Sequence, residues 1–220
     1  MSESAPTQNT PGAATGPQAS SPAEPDACSF IFRHRNILGV AIAVFLVVFP
    51  WGRWQPAPTH FIVGFALVLA GVLLRLWSIL QIGGAARKTV RLKAVRIISW
   101  GPFSLLRNPI YVANATVFAG FTVLSGHIWA LPGILIALGL WYDAVVVQEE
   151  KFLDKTFPVE YAEYRQSTRR WIPRFRLRRR PADIPPYPLL RAVRRERGHL
   201  ISVGLGTLVV VVFRIIVPSL

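Results

Sequence analysis

The sequence has almost no cysteine and little acid. Cys28 is the only cysteine in the chain, so neither an internal disulfide nor a cysteine-based zinc site can be built. Asp and Glu number only 11 of 220 residues against 25 Lys and Arg, and charged residues of both signs make up 16% of the chain. A water-soluble domain carries about 25%. That scarcity, together with 52% apolar residues, excludes a soluble globular enzyme. Long apolar stretches of roughly 15 to 24 residues are present instead, the length that crosses a hydrocarbon layer about 30 Å thick as a helix. The net charge of +14 would suggest nucleic acid in a soluble protein. In a membrane protein it speaks first of orientation and of contact with anionic lipid.

Residues 1–29 contain no aromatic residue and are rich in Ser, Ala, Pro, Thr and Gln; such a composition cannot offset the entropy of ordering and reads as a disordered tail. The first basic residue is Arg33, so no secretory signal is expected at Met1. Five apolar spans follow, near Ile37–Trp54, Thr59–Ile82, Ile110–Leu124, Ile128–Val147 and Leu200–Val217. They predict an all-α polytopic membrane bundle of about five transmembrane helices. The expected organisation is the tail, a core over 30–176, and over 177–220 a basic linker with an additional C-terminal helix. The separators Gln55-Pro-Ala-Pro58 and Ser125-Gly-His127 are short enough to make tight antiparallel hairpins.

The distribution of Lys and Arg orients this layout, because short cytoplasmic loops carry the positive excess. Arg33 and Arg35 precede the first span, six basic residues from Arg87 to Arg107 lie between the second and third, and fourteen more lie between 148 and 199. The other side has Arg53 alone. The expected N-terminus is therefore cytoplasmic, the basic coat faces anionic membrane lipids, and nucleic acid is not needed to explain the charge. Trp51, Trp54 and Trp129 fall at the expected outer interface, and Trp100 and Trp171 at the inner one.

Three features on the basic side carry chemistry. Arg107, Asn108 and Pro109 stand at the mouth of the third span, where Pro109 suits a first helical turn and free N–H groups would favour an anion. Glu149 and Glu150 close the fourth span, where carboxylates oppose the helix dipole and call for a positive partner: Arg107, Lys151, another loop base or a cationic ligand. The run Phe157-Pro158-Val159-Glu160-Tyr161-Ala162-Glu163-Tyr164 precedes Trp171-Ile172-Pro173. Its tyrosines share one helical face, and alone it reads as an amphipathic helix lying on the membrane.

In order and spacing these features resemble the integral membrane methyltransferase superfamily that includes isoprenylcysteine carboxyl methyltransferases and phospholipid N-methyltransferases. Its pattern is Arg-His-Pro-x-Tyr-x-Gly, a helical hairpin, then Glu-Glu-x-x-Leu-x-x-x-Phe-Gly-x-x-Tyr-x-x-Tyr and a later Pro. Here it is represented by Arg107-Asn108-Pro109-Ile110-Tyr111-Val112-Ala113, by Glu149-Glu150 through Leu153, Phe157, Tyr161 and Tyr164, and by Pro173. Asn108 stands where the family has His, and Ala113 and Pro158 where it has Gly. Asn can make a neutral histidine's hydrogen bond but cannot titrate near pH 7.

The resemblance implies methyl transfer from S-adenosylmethionine to a lipidic acceptor at the cytoplasmic interface. It places Arg107, Asn108, Pro109, Tyr111, Glu149, Glu150 and Tyr164 around the cofactor. A carboxylate acceptor is ionised at neutral pH and needs no base; an amine needs one, and Asp143 and Glu150, seven apart on one helical face, are candidates. Arg75 and Asp143 lie at comparable depth within their spans and are expected either to pair or to line an acceptor tunnel; with Glu150 they complete the catalytic set. A sterol-type NADPH-dependent membrane reductase resembles the Tyr and Pro stretch alone, and a non-catalytic protein of the same fold is the other alternative.

Overall fold

The computed structural model describes residues 37–48, 58–83 and 96–216. The expected tail, Trp51, Arg53, Trp54 and the basic residues from Arg87 to Lys93 lie outside them. The regular elements among the described residues are all helical: α1 (Ile37–Val48), α2 (Pro58–Ile82), a one-turn α3 (Pro102–Leu105), α4 (Pro109–Leu124), a 3-10 turn (Ile128–Ala130), α5 (Leu131–Thr156), α6 (Pro158–Ser167) and α7 (Leu189–Ile216). Proline sets most of the starts. Pro58, Pro102, Pro109 and Pro158 open α2, α3, α4 and α6, and Pro132 is the second residue of α5. A first-turn N–H has no intrahelical partner, so its loss there costs nothing.

Three helical stretches are long and apolar enough to cross a membrane: Pro58–Ile82, Ile128–Thr156 and Leu189–Phe213. The apolar helices Ile37–Leu46 and Pro109–Leu124 are shorter; at 1.5 Å per residue the latter reaches only about 24 Å. The described residues thus supply three span-length helices where five were expected. Two boundaries also differ. α5 runs nine residues beyond the expected Val147, because nothing from Gln148 to Thr156 breaks a helix until Phe157 caps it and Pro158 opens the next. α7 begins at Leu189 rather than Leu200, directly after Pro188, and takes most of the expected linker's basic residues into its first turns.

α2 and α4 pack most closely, along a seam of small residues. A Cβ on Gly71 would stand 2.7 Å from the Ala113 carbonyl oxygen, and one on Gly120 would stand 2.8 Å from that of Gly64. Glycine lets the two backbones approach as membrane helices do when there is no hydrophobic drive between them. The core continues through Ile42 and Leu46 of α1, Phe121 and Leu124 of α4, Ile134 and Leu138 of α5, and Val203 and Val210 of α7. Outside it, Ile62 and Leu69 of α2, Ile136 and Leu140 of α5 and Leu205 and Leu208 of α7 are all exposed. The three span-length helices bury only 28%, 33% and 17% of their apolar windows, so their outer faces require a hydrocarbon solvent.

The α4–α5 hairpin is as tight as its sequence indicates. Gly126 takes φ 76°, and the Gly126 and His127 amides donate to the Val123 and Thr122 carbonyls, closing the end of α4. Trp129 is 55% exposed, as an interfacial ring should be, but Trp100 is buried within the protein rather than placed at an interface.

Candidate functional site

The site lies where α2 ends and α4 begins, against the last turns of α5. Asn108 caps α4 and Pro109 starts it, which holds Arg107 just outside the helix. The Arg107 Nε donates to Glu150 Oε1 at 3.0 Å, and its Nη1 to the Thr168 carbonyl at 2.9 Å. One guanidinium thereby joins α5 to the end of α6. Glu150 Oε2 accepts from Arg170 Nη2 at 2.6 Å, and Arg170 Nη1 reaches Asp143 Oδ1 at 2.9 Å. Asp143 also accepts from the Trp171 indole at 3.1 Å. The result is a chain of alternating charge, Arg107, Glu150, Arg170, Asp143. Its Arg107–Glu150 end is well shielded, with side-chain exposures of 11% for Arg107 and 13% for Glu150. Glu150 hydrogen-bonding raises the affinity of Arg170 for its proton further.

The acid pair therefore has two different environments. Glu149 and Glu150 do not end a helix as expected; α5 continues to Thr156, so the dipole is not what demands their compensation. Glu150 is bound by guanidiniums, whereas Glu149 Oε1 accepts from the Tyr111 hydroxyl at 2.9 Å. The Tyr111 ring stands 5.0 Å from that of Tyr142, and the Tyr142 hydroxyl meets the Asn114 side chain.

Arg75 and Asp143 do not pair. Arg75 Nε donates to Glu196 Oε2 at 2.7 Å and its Nη1 to Asn114 Oδ1 at 2.9 Å. The earlier start of α7 explains the change, because Glu196 lies seven residues into α7 just as Arg75 lies seven from the end of α2. Polar contacts thus run from Glu196 through Arg75 and Asn114 to Tyr142, whose ring packs on that of Tyr111, and Tyr111 in turn reaches Glu149. Asp143 is turned the other way, toward residues 170 and 171, with 43% of its side chain exposed.

α6 packs its tyrosine face on protein. Tyr161 is 1% exposed and Tyr164 7%, and the Tyr164 hydroxyl donates to the Phe103 carbonyl at 2.7 Å. Burial pushes both phenols above their ordinary range, with the Glu150 charge adding to Tyr161 and the Arg107 charge opposing at Tyr164. Tyr164 also borders a cleft of about 460 Å³ lined by Arg96, Ser99, Phe157, Glu163 and Arg178. This cleft includes none of the other expected site residues.

Residues 169–178 form an antiparallel strap across 101–107. The Arg107, Arg174 and Gly101 amides donate to the Arg169, Leu105 and Arg178 carbonyls at 2.9, 2.8 and 2.9 Å respectively. The crossing fixes the loop that carries Arg107. Gly101 needs its glycine twice, for φ 61° and because a Cβ would stand 2.6 Å from Gln81 Cγ. At its far end Arg180 Nη2 donates to the Leu80 carbonyl at 2.8 Å, a cation on the last turn of α2. Arg170, Arg180 and Glu196 escaped sequence reasoning because nothing local marks which member of a basic run turns inward. The unbalanced acids at 149 and 150 were the available signal for Arg170.

The chemistry of the donors suits a zwitterionic nucleoside-type cofactor. A guanidinium at a helix start can meet a carboxylate, carboxylates can accept from hydroxyls or an amino group, and the Asn108 Nδ2 is buried without a protein acceptor.

Fold and site together define an all-helical membrane protein with a polar centre at one end of its bundle. The family model for phospholipid methyltransferase matches residues 59–160. The cobalt-zinc-cadmium resistance protein CzcN of Cupriavidus metallidurans is 30% identical over 157 residues, 69% of each chain. The nickel-cobalt-cadmium resistance protein NccN of Alcaligenes xylosoxydans xylosoxydans is 30% identical over 184 residues, 80% of this chain and 75% of the relative. No solved structure matches. The chain belongs to the phospholipid methyltransferase family. The family match opens with α2 and stops within α6, so α1, the strap with Arg170, and α7 with Glu196 lie beyond it.

Proposed function

We propose that the protein transfers a methyl group from S-adenosylmethionine to a lipidic acceptor at the cytoplasmic face of the membrane. The observation that carries this reading is the bond from Tyr111 to Glu149 beside the Arg107–Glu150 pair. It brings the α4 start and the acid pair, separated by about forty residues, into one polar centre next to lipid-facing helices. S-adenosylmethionine supplies an activated methyl group, so the protein's task is to align the reactants and exclude water. Arg107 and the buried Asn108 amide would hold the cofactor's carboxylate end, Glu149 its hydroxyl or amino groups, and Tyr111 would present a ring face. Arg170 and Glu150 position Arg107 and do not themselves need to touch the cofactor.

The acceptor is a lipid carboxylate or a lipid amine. Asp143 and Glu150 are poorly placed as bases because both are hydrogen-bonded to Arg170, and Glu150 to Arg107 as well. Glu149, bonded to a phenol, is the better candidate to receive a proton from an amine. Modifying either acceptor alters the headgroup chemistry that divalent cations meet at the membrane surface, which connects this reading to the names of the relatives.

Calorimetric titration of the detergent-purified protein with S-adenosylmethionine, S-adenosylhomocysteine and NADPH tests the proposal. Micromolar binding of both adenosyl ligands, weakened about tenfold or more in Glu149→Gln by loss of charged hydrogen bonds, is the expected result. Binding of NADPH alone would overturn it in favour of the reductase. Glu149→Gln is preferred to a change at Glu150, which would take from Arg107 its carboxylate partner and leave Arg170 with Asp143 in place of two acids.

A further inference from the structure

The strap has two faces with different chemistry. Inward, its backbone is bonded to 101–107, and Arg170 holds Glu150 and Asp143. Outward, Ile172, Phe175 and Leu177 are 62%, 95% and 59% exposed, and they interleave with the exposed Arg174, Arg176, Arg178 and Arg179. From Arg169 to Ala182 there is no acidic residue. A water-exposed loop has no reason to present a nearly bare phenylalanine between arginines. An interfacial segment does, because its apolar side chains enter the acyl boundary while guanidiniums meet phosphates. The strap also lies at the ends of α2, α5 and α7, where a bilayer holding those helices would place its headgroups.

We infer that residues 169–180 are a docking surface for anionic lipid headgroups, and that docking holds Arg170 on Glu150 and Asp143. The backbone bonds couple the two faces: a strap drawn onto the membrane through Phe175 and Arg176 cannot move without carrying the Arg107 loop. In a neutral bilayer the arginines lose their counter-charge, and the strap lifts more often from 101–107. The surface charge of the membrane thereby regulates the polar centre. The docking rests on the membrane placement of the bundle, and only its effect on turnover depends on the methyltransferase reading.

The test uses the full chain in nanodiscs of phosphatidylcholine alone and of phosphatidylcholine with phosphatidylglycerol. Amide hydrogen exchange is read at residues 101–107 and 169–178. An environment-sensitive fluorophore on Phe175→Cys, in a Cys28→Ser background, reports immersion. Exchange of the strap amides should slow about tenfold in the anionic discs, with a blue-shifted fluorophore, and both effects should fade as salt is raised. Arg176→Gln with Arg179→Gln should abolish the difference while keeping the exchange seen in neutral discs, which shows that the variant is folded. Equal exchange in both membranes, or a fluorophore equally exposed to water in both, overturns the inference. Adenosyl-ligand binding is measured separately, so its failure would count against the methyltransferase reading and not against docking.

Discussion

At the scale of single residues, Glu150 and Tyr111 divide the work between holding the site and forming it. Tyr111→Phe removes one hydrogen bond to Glu149 and keeps the ring against Tyr142. Its expected cost is about 1 kcal/mol in adenosyl-ligand affinity, roughly fivefold, with the melting temperature little changed. Tyr161 and Tyr164 make a second prediction. Their folded-state values lie above the ordinary 10.0, so between the two values the folded chain holds protons that the unfolded chain has released. Stability therefore falls as pH rises past 10.0. Tyrosinate absorbance of the native protein should lag behind that of the denatured protein, and the lag should shrink in Tyr161→Phe. Arg107, Asn108, Glu149 and Glu150 were legible because their residue types are unusual for membrane sequence, and Tyr111 through the family resemblance. Their partners were not. Which of the arginines between 169 and 180 reaches an acid is decided by the path of an irregular strap, and such a path leaves no period in the sequence.

Helices and their seams decide the next set of outcomes. Replacing Gly71 by Ala would gain about 1 kcal/mol of helix propensity on an open surface. Against the Ala113 carbonyl the added carbon forces α2 and α4 apart, and Gly71→Val should destabilise by about 2 kcal/mol in thermal unfolding. The Arg75–Glu196 pair fastens α7 to α2 and, through Asn114, to α4. Arg75→Met strands a carboxylate that is 9% exposed and should cost about 3 kcal/mol, whereas Arg75→Met with Glu196→Leu should recover most of that loss. A double change that is no milder than the single one would mean that the loss comes from the bonds Arg75 makes to Glu196 and Asn114 and not from a stranded carboxylate. Apolar runs disclosed where the long helices exist, and Pro109 disclosed where α4 begins. They did not disclose that α5 and α7 extend through polar sequence, because hydropathy marks the part of a helix in lipid and is blind to the turns that project beyond it.

For the molecule as a whole, one strap links everything before α7 to α7. Residues 174 to 179 hold four arginines in an exposed stretch without regular structure. In detergent they should be the first bonds cut by trypsin, and in an anionic bilayer they should resist. The cut would not dismantle the protein, since Arg75–Glu196 and the packing of Val203 and Val210 into the core still retain α7. The chain is thus built as two parts that recognise each other without their peptide link. A gene divided at this strap and expressed as two open reading frames should yield halves that find one another in the membrane and co-purify.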